Sequence, residues 1–127
     1  MKSLPGLGLD LISISRFASV LERGGADFKD KVFTPQEQES AEARKNPCQH
    51  YAARFAGKEA VLKALGRGLG QGMSLQEIEI LSDGRSAPRI VLHGKALAVA
   101  TKLGVVAWSI SLSHSRDTAG AVVNAHF

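Results

Sequence analysis

Between residues 6 and 12 the chain alternates Leu7, Leu9 and Leu11 with Gly6, Gly8 and Asp10, a period of two that predicts a β-strand with one buried face. Asp10 falls on the glycine face. Glycines weaken a strand but let another backbone or a ligand come close, so Asp10 has two readings: a ligand-contacting acid at the strand end, or a cap for the helix that follows. From Ser13 to Arg23 the period lengthens, with Ile14, Phe17, Val20 and Leu21 as an apolar stripe and Gly24-Gly25 as the stop of a short amphipathic helix. Arg16 and Arg23 lie two turns apart on the opposite side as a small basic ridge, either a solvated face or a docking surface for an acidic partner.

Thr34-Pro35-Gln36-Glu37 is a helix start, with Thr34 as N-cap, Pro35 at the first helical position and Glu37 closing a capping box. That helix is expected to run to Arg44 and break at Asn46-Pro47, since the residue before a proline is pushed out of the helical region. A central helix then covers Gln49 to Leu65 and ends at Gly66, followed by the glycine-rich loop Gly66 to Gly72. This loop follows a helix and lacks a Gly-Lys-Ser/Thr ending, which argues against a P-loop, and no GxGxxG pattern precedes a βαβ unit. Short strands are predicted at Glu77 to Leu81 and Arg89 to His93 around a turn at Asp83-Gly84, then a helix from Lys95 to Leu103 stopped by Gly104. Val106, Trp108, Ile110 and Leu112 alternate with Ala107, Ser109, Ser111 and Ser113 as a half-buried strand, and a last strand covers Thr118 to Ala125. Helices and strands cluster without a βαβ repeat, so the expected fold is α+β, a mostly antiparallel sheet packed against a long central helix.

The central helix is apolar almost all round, yet it carries Arg54, Lys58, Glu59 and Lys63. Charges in such surroundings are costly unless they have partners or a task. Helical spacing sets Glu59 and Lys63 one turn apart on one flank and Arg54 and Lys58 one turn apart on another. An exposed ion pair between Glu59 and Lys63 is the simplest alternative, but it would require a helix that is half polar.

Composition narrows the function without choosing it. The 127 residues fit one domain, 1–127, and a 44% hydrophobic, 6% aromatic content describes an aliphatic core. No run is long enough to span a bilayer and the first residues lack a secretory apolar stretch, so a cytoplasmic protein is expected, with no membrane partner. Cys48 is the single cysteine and has no metal-ligand neighbourhood, which leaves neither a disulfide framework nor a zinc site. A net charge of +4 and a pI near 9.5 point to an acidic partner. A small basic nucleic-acid-binding protein is the alternative reading, but the chain has no Lys/Arg block and little aromatic interleaving, so no nucleic-acid partner is expected. Asp10 and Glu59 are candidate ligands for a hard cation such as Mg²⁺, which takes one or two carboxylates and completes its shell with water and phosphate oxygens. Lys63 would then neutralise phosphate charge, with Arg54, Lys58 and His114 holding other phosphates.

Three stretches, Gly6-Leu7-Gly8-Leu9-Asp10-Leu11, Arg54-Phe55-Ala56-Gly57-Lys58-Glu59-Ala60 with Lys63-Ala64-Leu65-Gly66, and Ser111-Leu112-Ser113-His114-Ser115, together resemble the signature blocks of the 4′-phosphopantetheinyl transferases. Length and block order resemble the holo-acyl-carrier-protein synthase type of that superfamily. Departures are the longer Gly84-to-Pro88 turn and Arg67 in place of a small residue. The resemblance implies that the phosphopantetheine arm of coenzyme A is transferred to a serine of an apo acyl carrier protein, with release of 3′,5′-ADP, in support of fatty acid biosynthesis. It implies Mg²⁺ on Asp10 and Glu59, Lys63 at the departing phosphate, and Arg54, Lys58, Ser113 and His114 on coenzyme A. It also implies Arg16, Val20 and Arg23 on the acidic carrier helix, and a homotrimer with sites between subunits. The proton acceptor is Glu59 or a metal-bound water.

Overall fold

A computed structural model describes residues 6–66, 72–82 and 87–127. The interior of the glycine-rich loop and the Asp83-Gly84 turn lie outside these residues. In chain order the elements are β1 (Leu7–Ser13), α1 (Ile14–Val32), α2 (Pro35–Glu42), α3 (Pro47–Ala64), a 3₁₀ turn (Leu75–Glu77), β2 (Ile78–Leu81), β3 (Arg89–Leu92), α4 (Gly94–Leu103), β4 (Ala107–His114) and β5 (Thr118–His126). Two antiparallel sheets form, one with strand order β1-β5-β4 and one a β2-β3 ribbon. The expected α+β architecture around a long central helix is what the chain adopts. Helix α3 lies at the centre, burying Tyr51, Val61, Leu62 and a run of alanines against the sheet, α1 and α2.

The first strand has the predicted period but the opposite facing. Leu7, Leu9 and Leu11 are 70%, 57% and 67% exposed, whereas Gly8 is buried and Asp10 is partly buried against the helix side. The reason is the close approach of α3: a Cβ on Gly8 would stand 1.8 Å from the Ala60 carbonyl oxygen, so only glycine fits there, and a leucine face cannot. In register with the leucines, Val122 of β5 and Ser109, Ser111 and Ser113 of β4 share the outer face. That face presents a contiguous row of leucines and valine to the outside, which is unusual for an isolated protomer.

Two boundaries also differ from expectation. Gly24-Gly25 does not stop the first helix; Gly25 takes φ 56°, ψ −147°, the chain kinks, and the helix resumes to Val32. The kink sets Phe28 edge-on to Phe17 with ring centroids 6.0 Å apart, and hydrophobic packing against Phe17 and the core outweighs the glycine pair's tendency to terminate. Pro47 opens α3 instead of preceding it, with the Asn46 side chain accepting from Gln49 N. The Thr34–Glu37 capping box forms as expected.

Candidate active site

Helix α3 separates two depressions, one carrying carboxylates and one basic. The first is a groove of about 380 Å³ whose walls are Phe17, Val20, Phe28, Phe55 and Ile12, with Asp10, Glu59 and Arg16 on its rim. Strand β1 brings Asp10 to α3 because the glycine face of the strand is the one turned inward. Asp10 does not cap α1: Ser13 accepts from Arg16 N at 3.2 Å, and Asp117, from the β4–β5 turn, accepts from Ser15 N at 2.9 Å. Instead Asp10 pairs with Lys63, whose Nζ donates to Asp10 Oδ1 at 3.1 Å and to the Leu9 carbonyl at 2.9 Å. Burial and the negative charge of Asp10 both raise the Glu59 pKa above its ordinary value, and Lys63 only partly opposes them. Two carboxylates crowded together with one ammonium favour binding of a further cation.

These donors are hard oxygens, and among the described residues no third His, Cys, Asp or Glu joins them. Two carboxylates suit Mg²⁺, which keeps several positions for water and phosphate, better than an all-protein cage or a soft metal. Asp10, Glu59 and Lys63 are thus brought together as the sequence suggested.

The second depression, about 580 Å³, is lined by Arg44, Lys45, Gln49, His50, Arg54, Ser113 and His114, with Ser82 and Pro88 across from them. No carboxylate is among its described lining residues. Arg54 is 8% exposed, and burial together with the repulsion of Arg44 lowers its pKa to about 10, so it remains a cation at neutral pH. The same burial, with Arg54 and Arg44 nearby, pushes His50 down to about 4 and keeps it neutral. Gln49 Nε2 reaches His114 Nδ1 at 3.0 Å and fixes that ring at the cleft wall. A half-buried pocket of guanidinium, ammonium and imidazole groups with no carboxylate among its described lining residues fits a polyanion such as a nucleotide's phosphates.

Lys58 is not part of this cleft, which corrects its assignment as a phosphate contact. Its ammonium is fully buried and donates to Glu37 Oε1 at 2.7 Å, the Leu75 carbonyl at 2.9 Å and the Ile78 carbonyl at 2.5 Å. All three protons are used. Arg54 and Lys58 share a flank, but α2 and β2 cover the second and leave the first open. Arg16 and Val20 stand at the acidic groove, while Arg23 lies outside its lining with Nε on the Ser19 carbonyl at 3.3 Å. Gln49, His50, Arg44 and Lys45 were missed by sequence reasoning. Their signal was available, since His50 is one turn before Arg54 and Arg44-Lys45 open the segment before α3.

The family model for the 4′-phosphopantetheinyl transferase superfamily matches residues 6–123, and the chain belongs to that superfamily. Within it, the chain is 47% identical to the holo-[acyl-carrier-protein] synthase of Syntrophus aciditrophicus over 93% of this chain and 92% of the relative. The holo-[acyl-carrier-protein] synthase of Neisseria meningitidis has a similar structure, with a TM-score of 0.86 at 31% identity, covering 98% of this chain and 100% of that one. The Helicobacter pylori holo-[acyl-carrier-protein] synthase in complex with coenzyme A aligns with a TM-score of 0.82 at 29% identity, over 94% of this chain and 99% of that chain. These relatives leave the nucleic-acid reading without support. No helix among the described residues is long and apolar enough to cross a membrane.

Proposed function

We infer that this chain transfers the 4′-phosphopantetheine group of coenzyme A to a serine of an apo acyl carrier protein, releasing 3′,5′-ADP, as a single cytoplasmic domain serving fatty acid biosynthesis. The observation that carries this reading is the position of α3 between a carboxylate pair and a basic cleft: a reactive pyrophosphate needs both. In the transfer the serine oxygen attacks the pantetheine-bearing phosphorus, the bond from that phosphorus to the bridging oxygen breaks, and 3′,5′-ADP departs. Asp10 and Glu59 would hold Mg²⁺, which would supply charge neutralisation and polarisation of the pyrophosphate.

The remaining work falls to side chains. Arg54, Ser113 and His114 hold phosphates of coenzyme A, with Arg44 and Lys45 adding positive charge at the cleft mouth. Lys63 needs only to swing from Asp10 to meet the departing phosphate, and its exposed, single-contact ion pair with that acid is weak enough to exchange. Serine loses its proton to Glu59, whose pKa burial and Asp10 raise toward that of a useful base. Arg16, Val20 and Arg23 receive the acidic carrier helix, the first two beside the carboxylates where the serine must arrive.

A homotrimer with sites between subunits is part of the same reading. Its support is the outer sheet face: Leu7, Leu9, Leu11 and Val122 are large apolar side chains left uncovered, and Leu11 shares a shallow depression with Ser113 and His114. Covering that face by neighbours brings the cleft wall of one chain toward the groove of another. Intact-mass analysis of an apo carrier incubated with the protein, coenzyme A and Mg²⁺ tests the function: one added phosphopantetheine per carrier is expected, and an unmodified carrier refutes it.

A further inference from the structure

The Glu37–Lys58 pair is the most completely buried charge pair among the described residues, with side chains 1% and 0% exposed. Glu37 does three things at once: Oε1 accepts from Thr34 N at 2.9 Å and from Lys58, and Oε2 accepts from Ile80 N at 2.9 Å. One carboxylate therefore ties the start of α2, the middle of α3 and the strand β2. A second tier backs it, since Glu79 accepts from Thr34 Oγ1 at 2.6 Å and meets His93 Nε2 at 3.0 Å.

Burial of such a pair is a poor source of stability, because desolvating both charges offsets most of their attraction and a hydrophobic pair of similar size does as well or better. What a buried pair supplies is one defined arrangement. Helix α3 has particular need of that, since Tyr51, Val61 and Leu62 share the side of Lys58 but the opposite side, turned to the sheet, is small: Ala53, Ala56 and Ala60. A helix face without large side chains offers shallow ridges, and ridges are what ordinarily fix a helix's rotation against its neighbours. Lys58 also sits where rotation matters most, one turn after Arg54 and about 100° around the axis from Glu59.

We propose that Glu37 and Lys58 are positioning residues for the transfer: the pair locks the rotation and height of α3, and so aims Arg54 into the basic cleft and Glu59 at Asp10. This rests on the function proposed above. At the outer radius of about 5–6 Å, a rotation of about 10° moves a side-chain end by roughly 1 Å, and a misplacement of that size at a reacting centre costs on the order of 100-fold.

The test is the double variant Glu37→Gln/Lys58→Met, compared with the wild-type protein in its native assembly. Thermal unfolding, Mg²⁺ affinity and coenzyme A affinity by calorimetry, and steady-state transfer are measured together. Cooperative unfolding is expected to persist, with kcat lowered at least about 10-fold, Mg²⁺ and coenzyme A bound more weakly, and KM for the carrier unchanged, since the pair does not touch α1's outer face. A folded double variant with wild-type kcat and wild-type Mg²⁺ and coenzyme A affinities overturns the assignment. If the double variant does not fold, Glu37→Gln alone, which keeps Lys58 on the Leu75 and Ile78 carbonyls, carries the same measurements and the same two outcomes. Transfer by the wild-type protein is the control: its absence counts against the function itself, and its presence leaves the positioning role to stand or fall on the variants.

Discussion

Replacing Leu9 with glutamate tests whether the outer sheet face is an interface. Leu9 is 57% exposed in the protomer, so its substitution leaves the fold intact. A fully buried leucine is worth about 1.5–3 kcal/mol, and covering the exposed part of this one contributes roughly 1–2 kcal/mol per chain. An uncompensated carboxylate in the same apolar setting costs several kcal/mol more. Together they amount to about 4 kcal/mol per chain, and at 1.4 kcal/mol per tenfold the association weakens by about a thousandfold. Sedimentation velocity across a range of protein concentrations reads the assembly, circular dichroism the fold, and carrier modification the activity. The expected result is a folded monomer with little or no transfer, while Leu9→Met assembles and acts like wild type. An assembled, active Leu9→Glu protein, or a wild-type protein that is monomeric and fully active, refutes the reasoning.

Gly8→Ala introduces a Cβ at 1.8 Å from the Ala60 carbonyl oxygen, an overlap expected to cost about 3 kcal/mol or more and to lower the melting temperature in calorimetry by about 10 °C; an unchanged melting temperature contradicts the close approach of β1 and α3. Glu59 has its pKa raised by burial and by Asp10 above the ordinary 4.5, so its anionic form is lost at a higher pH than a free carboxylate's as the solution is acidified. Mg²⁺ affinity by calorimetry therefore weakens as pH falls while still above 4.5; a midpoint at the ordinary value excludes the shift. Arg16→Glu reverses a charge on the groove rim and is expected to raise KM for the carrier about 10-fold or more, leaving coenzyme A affinity unchanged. Equal carrier KM values for variant and wild type place the docking face elsewhere.

Local signals were the most legible in the sequence. The Thr34–Glu37 capping box spans four residues and forms as read, and the alternation in β1 sets the strand correctly. Which face of that strand meets the core was not legible, because a period of two distinguishes two faces without ranking them. The ranking came from the alanine backbone of α3, which leaves room at Gly8 for no side chain. Gly24-Gly25 carried a stop signal that Phe28's packing overrode. Arg54 and Lys58 are equivalent in spacing, and what separates their fates is Glu37, distant in sequence and readable only as a cap. Glu59 and Lys63 stood out because α3 is otherwise apolar, and Asp10 because it lies on the glycine face of β1. Gln49 and His50, in a polar first turn, gave no such contrast.

In the proposed reaction the acid pair and the basic cleft flanking α3 act on one pyrophosphate. Its most direct measurement is the stoichiometry of both products, holo carrier by intact mass and 3′,5′-ADP by chromatography, for wild type and Glu59→Gln side by side with and without Mg²⁺. One 3′,5′-ADP is expected for each modified carrier in the wild type with metal, and loss of both products on removing either the metal or the Glu59 carboxylate. An unmodified carrier in the wild-type reaction, or equal product yields from Glu59→Gln, contradicts it.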